Sequence, residues 1–293
     1  MCDVKIKLKS LTLYQLKLLL NNNLITNIEY DIKQICIDWK TITLDEIKTL
    51  IELTELYPKI SEIFIPKIFH DLCLNIHKEQ KIDIILQYIE YMINHNESRS
   101  ILLFNIHNLL NIDEIIEIIE YCFQINAMEN LKYIDNSHHT ILHSISNDHV
   151  IFNKLLKYYL NNNHKEYAMI HNYYGDTPII SFCKKHYSSQ GGKSIIIKLF
   201  KLLIKYNVED IIFIYNAHNN NAITYYFITK PDSNKLFEII DIFYQSKNKI
   251  DNMKRLLNFA INNLKDCNET REMKNIIQNI INGSTKSAIE YNE

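Results

Sequence analysis

Four groups of residues in this chain have the types and spacing that do chemistry. The stretch Ser188-Ser189-Gln190-Gly191-Gly192-Lys193-Ser194 ends like a phosphate-binding loop. Such a loop needs G-x-x-x-x-G-K-[ST] after a buried strand, because several backbone N–H groups must converge on the phosphates. With Gly192 as the second glycine, the first would stand at position 187, which is Tyr187, and CKKHYSSQ precedes it instead of a strand. The expectation is a loop between paired helices, with Gly191 and Gly192 ending one helix and allowing a sharp return. No nucleotide and no other cofactor is expected.

His70, Cys73 and His77 fall at offsets 0, 3 and 7, so on a helix they share a face and could ligate zinc with one outside partner. Leu74 and Ile76 lie among them, and the face reads as core; no metal is expected. His139 and His143 have the i, i+4 spacing of a metalloprotease helix, but Thr140 stands where the general-base Glu would be. Cys183 and His186, three apart, pair a nucleophile with a base, yet no orienting third group or Gly-rich oxyanion loop accompanies them. The carboxylate pairs Asp45-Glu46 and Asp113-Glu114 sit at expected helix starts, where the helix dipole favours negative charge. A noncatalytic chain is the expectation.

The elements that carry these residues are helices. Only four Gly and four Pro occur in 293 residues, where ordinary usage would give roughly 20 and 15. Tight hairpins need Gly for positive φ, so barrels, sandwiches and Gly-dependent nucleotide folds are disfavoured. Ile82, Ile85, Leu86 and Ile89 fall at offsets 0, 3, 4 and 7, and Ile112, Ile115, Ile116 and Ile119 repeat them. Each set makes an apolar stripe on a helix. Asn111 with Glu114, and Thr43 with Glu46, read as capping signals. The asparagine triplets at 21–23, 161–163 and 219–221 read as loop tips.

Expected helix ends recur with an aliphatic-x-Tyr finish at Tyr91, Tyr121, Tyr158, Tyr206 and Tyr244, a loose period of 30 to 48 residues. A period of that size indicates a stack of helix pairs that bury one another's stripes. Within one such unit, NYYGDTPII places Gly175 for a tight turn, Thr177 as a helix cap and Pro178 at the first helical position. The unit before carries Asp135 and then Thr140-Ile141-Leu142-His143; the unit after carries Asn216, Asn219 and Asn221-Ala222-Ile223.

These motifs resemble the ankyrin repeat, with its turn, T-P-L-H, short helix, loop and longer apolar helix. The match runs over roughly 130 to 245, with inserted loops expected near 186–192 and 229–233. The resemblance implies an all-α helical solenoid of ankyrin-like helix pairs with an additional helical N-terminal segment. The segments are 1–60 as an N-terminal cap or extension, 61–130 as degenerate pairs, 131–250 as ankyrin-like repeats, and 251–293 as C-terminal capping helices and tail. It makes His143 a structural hydrogen-bonding residue. It also implies a binding face of turn tips and first helices: Asn136, Ser137 and His138 from one turn, Tyr173, Tyr174 and Asp176 from the next, His218 and Asn219 from the third.

The function so implied is noncatalytic protein–protein interaction, as a scaffold or adaptor for a protein partner. The heavy use of Ile, Asn, Lys and Tyr is similar to that of divergent ankyrin-type proteins of large DNA viruses and intracellular microbes, which implies a host-modulating role in the host cytoplasm. Six scattered cysteines without a CxxC, and an N-terminus without an apolar signal core, fit reduced thiols in a cytoplasmic protein. The stretch from Ile211 to Thr229 lacks charge, but Asn216, His218, Asn219, Asn220 and Asn221 break it, so no membrane span is expected. One alternative is an enzyme with a site assembled from scattered His, Cys and Asp. Another is a nucleic-acid binder, which needs Lys184, Lys185, Lys193, Lys198 and Lys201 on one face; a formal charge of −2 speaks against it.

Overall fold

Local chemistry sets each helix boundary. In a computed structural model the described residues are Thr49, Ile82, Ile85, Leu86, Ile89, and residues 110–127, 137–189, 191–228, 233–265 and 267–283. They form helices, turns and irregular segments, with no strand among the described residues. The chain divides into two compact units, Met1–Asn136 and Ser137–Glu293.

In the first unit, α1 spans Ile112–Gln124. Asn111 caps it: its Oδ1 accepts from the Asp113 and Glu114 N–H groups at 3.0 and 3.1 Å, while Glu114 Oε2 accepts from Asn111 N–H at 2.8 Å. That reciprocal box is the one the sequence signalled. Ile112, Ile115, Ile118, Ile119 and Cys122 are buried on one face, and Ile116 is half-buried. Upstream, Ile82, Ile85, Leu86 and Ile89 are helical, with Ile85 and Ile89 fully buried. The capping signal at Thr43 and the His70, Cys73 and His77 group lie outside the described residues.

The second unit is a succession of short and longer helices. They are α2 (Ile141–Ser144, extended by a 3-10 turn Ile145–Asn147) with α3 (His149–Asn161), and α4 (Pro178–His186) with α5 (Gly192–Lys205). Then come α6 (Ala222–Phe227), α7 (Ser233–Tyr244), and α8 (Lys249–Asn263) with α9 (Asn268–Ile281). Short first helices pack in series, α2 on α4 and α4 on α6, while the longer α5 packs on α7. The last pair packs on itself, and both its helices contact α7. Neither α2 nor α6 is long enough to be stable alone in water; each depends on its neighbours for burial.

Aromatic side chains join these helices to one another. Phe152 of α3 meets Phe182 of α4 at 4.4 Å between ring centroids. Phe200 of α5 faces Phe243 of α7 at 6.5 Å, and Phe227 of α6 stacks on Phe259 of α8 at 5.9 Å. All but the last two are fully buried, and those two nearly so. Burying such a side chain stabilises by about 1.5–3 kcal/mol.

Scarcity of glycine does not prevent left-handed caps, because asparagine supplies them. Helices α1, α3 and α5 are followed by Asn126, Asn163 and Asn207, with φ of 54, 62 and 55°. In each case the next N–H reaches back into the last turn: Ala127 to Cys122 O, His164 to Tyr159 O and Val208 to Leu203 O, at 2.7 to 3.0 Å. This is the Schellman closure. The triplet 161–163 is thus the end of a helix and its cap.

Thr177 and Pro178 stand at a helix start as expected: Thr177 Oγ1 accepts from Ile180 N–H at 3.2 Å, and Pro178 opens α4. The Gly191-Gly192 pair differs from expectation. It does not end α4, which stops at His186; it begins α5. Gly191 is the N-cap with φ of 74°. Gly192 is the first helical residue, and a Cβ there would overlap the His186 carbonyl oxygen. The close approach of two helix ends, invisible in local sequence, demands the glycine.

Candidate partner-binding site

Two of the turns that precede the first helices, 172–176 and 216–220, share one backbone design. In 172–176, Asn172 N–H donates to Asp176 O at 3.0 Å and Gly175 N–H donates to Asn172 O at 2.9 Å. Asn172 Oδ1 then accepts from the Tyr174 and Asp176 N–H groups at 2.9 and 3.0 Å. In 216–220 the same bonds recur: Asn216 N–H to Asn220 O, Asn219 N–H to Asn216 O, and His218 and Asn220 N–H to Asn216 Oδ1. Asn219, at φ 58°, takes the place of Gly175, at φ 75°. His138, at φ 57°, holds the equivalent position two residues before the cap Thr140. Asn accepts this backbone at little cost.

Adjacent turns are linked. Tyr173 N–H donates to Ser137 O at 2.8 Å. Gly175 lies so close to the following turn that a Cβ would come 2.6 Å from Ala217 N. His143, buried, links two successive turns: Nδ1 accepts from Thr140 N–H at 3.1 Å, and Nε2 lies 2.9 Å from Asp176 O. Because Nδ1 accepts, the ring proton sits on Nε2 and is donated to that carbonyl. Between the turns 172–176 and 216–220 the link is Asp176 itself. Its Oδ1 accepts from Asn216 Nδ2 at 2.6 Å and its Oδ2 from Lys184 Nζ at 3.4 Å.

The expected tip residues therefore separate. Tyr173 and Tyr174 are exposed, 76% and 53%, with rings nearly perpendicular at 5.8 Å. His138, His218 and Asn219 are exposed and Ser137 is half-buried. Asn136 lies outside the described residues. Asp176 does not project: it is 3% exposed, because its carboxylate is the bridge between two turns. Tyr215, 48% exposed beside the third turn, was not singled out in the sequence. Its signal was the asparagine register, since it precedes Asn216 as His171 precedes Asn172.

The other constellations are engaged in structure. Cys183 is fully buried, and burial pushes its thiol far above the ordinary range. His186 Nε2 donates to Ser146 O at 3.1 Å. Burial lowers the His186 pKa, His149 adds to the lowering, and the Ser146 bond and Asp148 oppose it. His139 and His143 rings are 5.6 Å apart, but both nitrogens of His143 are in use. Among the described residues no group of three or more His, Cys, Asp or Glu side chains could hold a metal ion. Lys184 is drawn to Asp176, and Lys193 lies over the Tyr226 ring at 5.7 Å. Lys198 and Lys201 stand exposed on α5. No helix of the described residues is long and apolar enough to cross a membrane.

No protein-family model matches the chain, and neither a curated protein nor a solved structure does.

Proposed function

We propose that residues 137–283 form a stack of ankyrin-like helix pairs whose role is to bind a protein partner without catalysing a reaction. The row of turns at 137–140, 172–176 and 216–220 is the contact surface. The observation that carries this reading is the Tyr173–Tyr174 pair, exposed on a turn whose backbone is closed by four hydrogen bonds. Tyrosine held rigidly loses little entropy on binding and is enriched among residues that dominate interface energy. Turns joined by buried polar groups, with two tyrosine rings held outside them, have the layout of a recognition surface. A scaffold or adaptor acting in a host cytoplasm is the form of this role that the composition suggests.

The test is affinity purification from the cell that makes the protein. One stoichiometric protein partner, lost in Tyr173→Ala/Tyr174→Ala, is expected. Turnover of a small molecule with no protein partner recovered would contradict the reading.

A further inference from the structure

The outer faces of three helices share one register and differ in charge. On α1 the exposed stripe at offsets 0, 4, 7 and 11 is Asp113, Glu117, Glu120 and Gln124. On α3 the same offsets give Val150, Lys154, Lys157 and Asn161; on α5 they give Ser194, Lys198, Lys201 and Lys205, all exposed. Neither α3 nor α5 contains a single Asp or Glu. The two lysine rows meet at their ends, where Tyr206 OH donates to Asn161 Oδ1 at 2.8 Å.

Among the described residues nothing neutralises these rows. Residues 137–228 hold nine Lys against five Asp or Glu. Asp176 and Glu209 are buried, Asp210 pairs with Arg255 at 2.7 Å, Asp148 caps α3, and Glu166 faces His164. None of the five row lysines makes an ion pair with a described residue. Lys154 with Lys157, Lys198 with Lys201, and Lys201 with Lys205 are like charges at i, i+3 or i, i+4, an arrangement that disfavours the helices until an anion covers it. The unit that carries them, 137–293, has 19 Lys or Arg against 14 Asp or Glu, a net of +5; residues 1–136 have 13 against 20, a net of −7.

The chemistry of the face selects among anions. Sequence-tolerant nucleic-acid binding interleaves cations with stacking aromatics, and base reading favours Arg. Here all five cations are Lys, and the exposed tyrosines 173, 174 and 215 stand on the turns instead. Binding in a lipid interface needs exposed Trp, Phe or Leu beside the cations; on these two helices the large apolar residue that is exposed is Val150. What the rows do match is a second helix with carboxylates at the same pitch. We infer that the outer faces of α3 and α5 dock an acidic helical segment of a partner protein, with carboxylates recurring every three to four residues. This surface is separate from the turn row and does not depend on the reading given to it.

The probe is a fluorescein-labelled helical peptide with Glu at offsets 0, 4, 7 and 11, measured by fluorescence anisotropy against the full chain. Expected are salt-weakened binding, a loss of at least about tenfold in affinity in Lys198→Glu/Lys201→Glu and in Lys154→Glu/Lys157→Glu, and retention in Lys198→Arg/Lys201→Arg. Tyr173→Ala/Tyr174→Ala is expected to bind the peptide unchanged, which separates this face from the turn row. Circular dichroism melting confirms that the exposed substitutions leave the fold intact. No binding by the unaltered protein, equal binding by the reversed-charge variants, or tighter binding of a 20-base-pair DNA duplex or of anionic phosphatidylserine vesicles would overturn the inference.

Discussion

The Nε2 of His143 stands 2.9 Å from the carbonyl oxygen of Asp176, 33 residues away, so a side chain of one helix pair is bonded to the turn of the next. The bond is buried, and its other ring nitrogen accepts from Thr140 N–H. Replacing the ring removes both at once. His143→Leu keeps an apolar body but leaves the buried Thr140 N–H without this acceptor. A loss of about 1–3 kcal/mol is expected in urea unfolding. A change below about 0.5 kcal/mol, the level of ordinary surface substitutions, would show that the link contributes nothing.

Gly191 and Gly192 separate two costs of adding a methyl group. Gly191 has open space around it but φ of 74°, so Gly191→Ala is expected to cost roughly 1–2 kcal/mol for the left-handed backbone. Gly192 has no such φ, but its Cβ would overlap His186 O. Gly192→Ala must push α4 and α5 apart and is expected to lower the melting temperature further than Gly191→Ala. The reverse order would contradict the close approach.

Phe182 sits between Phe152 and His186, at 4.4 Å from each ring, and is fully buried. It fills the space between two helix pairs. Phe182→Ala is expected to destabilise by about 3–5 kcal/mol. The check is the denaturation midpoint; a loss near 1 kcal/mol would mean the neighbouring rings collapse into the gap.

Much of this was readable locally. Asn111 with Glu114, and Thr177 with Pro178, act within one turn of their own helix, so four adjacent residues contain the whole cause. The stripe from Ile112 to Ile119 depends only on the helical period. Long-range causes were not readable. Asp176 looked like a tip residue because its neighbours are tip residues; its burial comes from Asn216, 40 positions on. Which helix Gly191-Gly192 serves is not legible locally, because the reason for Gly192 is the approach of His186 O. Helix α2, four residues long, is too short to show a period, and only Thr140 and His143 betray it.

His186 gives a pH signature with a definite sign. Burial holds its folded pKa below the ordinary histidine value, against the upward pull of Ser146 O. As pH falls through about 6.5 the unfolded chain takes up the proton first, so unfolding is favoured. The contribution is complete above the ordinary value and is lost as pH falls toward the lowered folded value. Between about pH 7.5 and 5.5, spanning the ordinary histidine range, the unaltered protein is expected to lose more stability than His186→Gln, in paired urea titrations. Equal losses would contradict it.

The most direct test of the turn row as a recognition surface is site-specific photocrosslinking in the native cell. A benzophenone side chain replaces Tyr173 in one variant and Ile261, an exposed residue of α8, in another. The expected result is one protein adduct from position 173, absent from position 261 and competed by the unaltered protein. The same adducts from both positions, or none from 173 while the purified protein turns over a small molecule, would contradict the account.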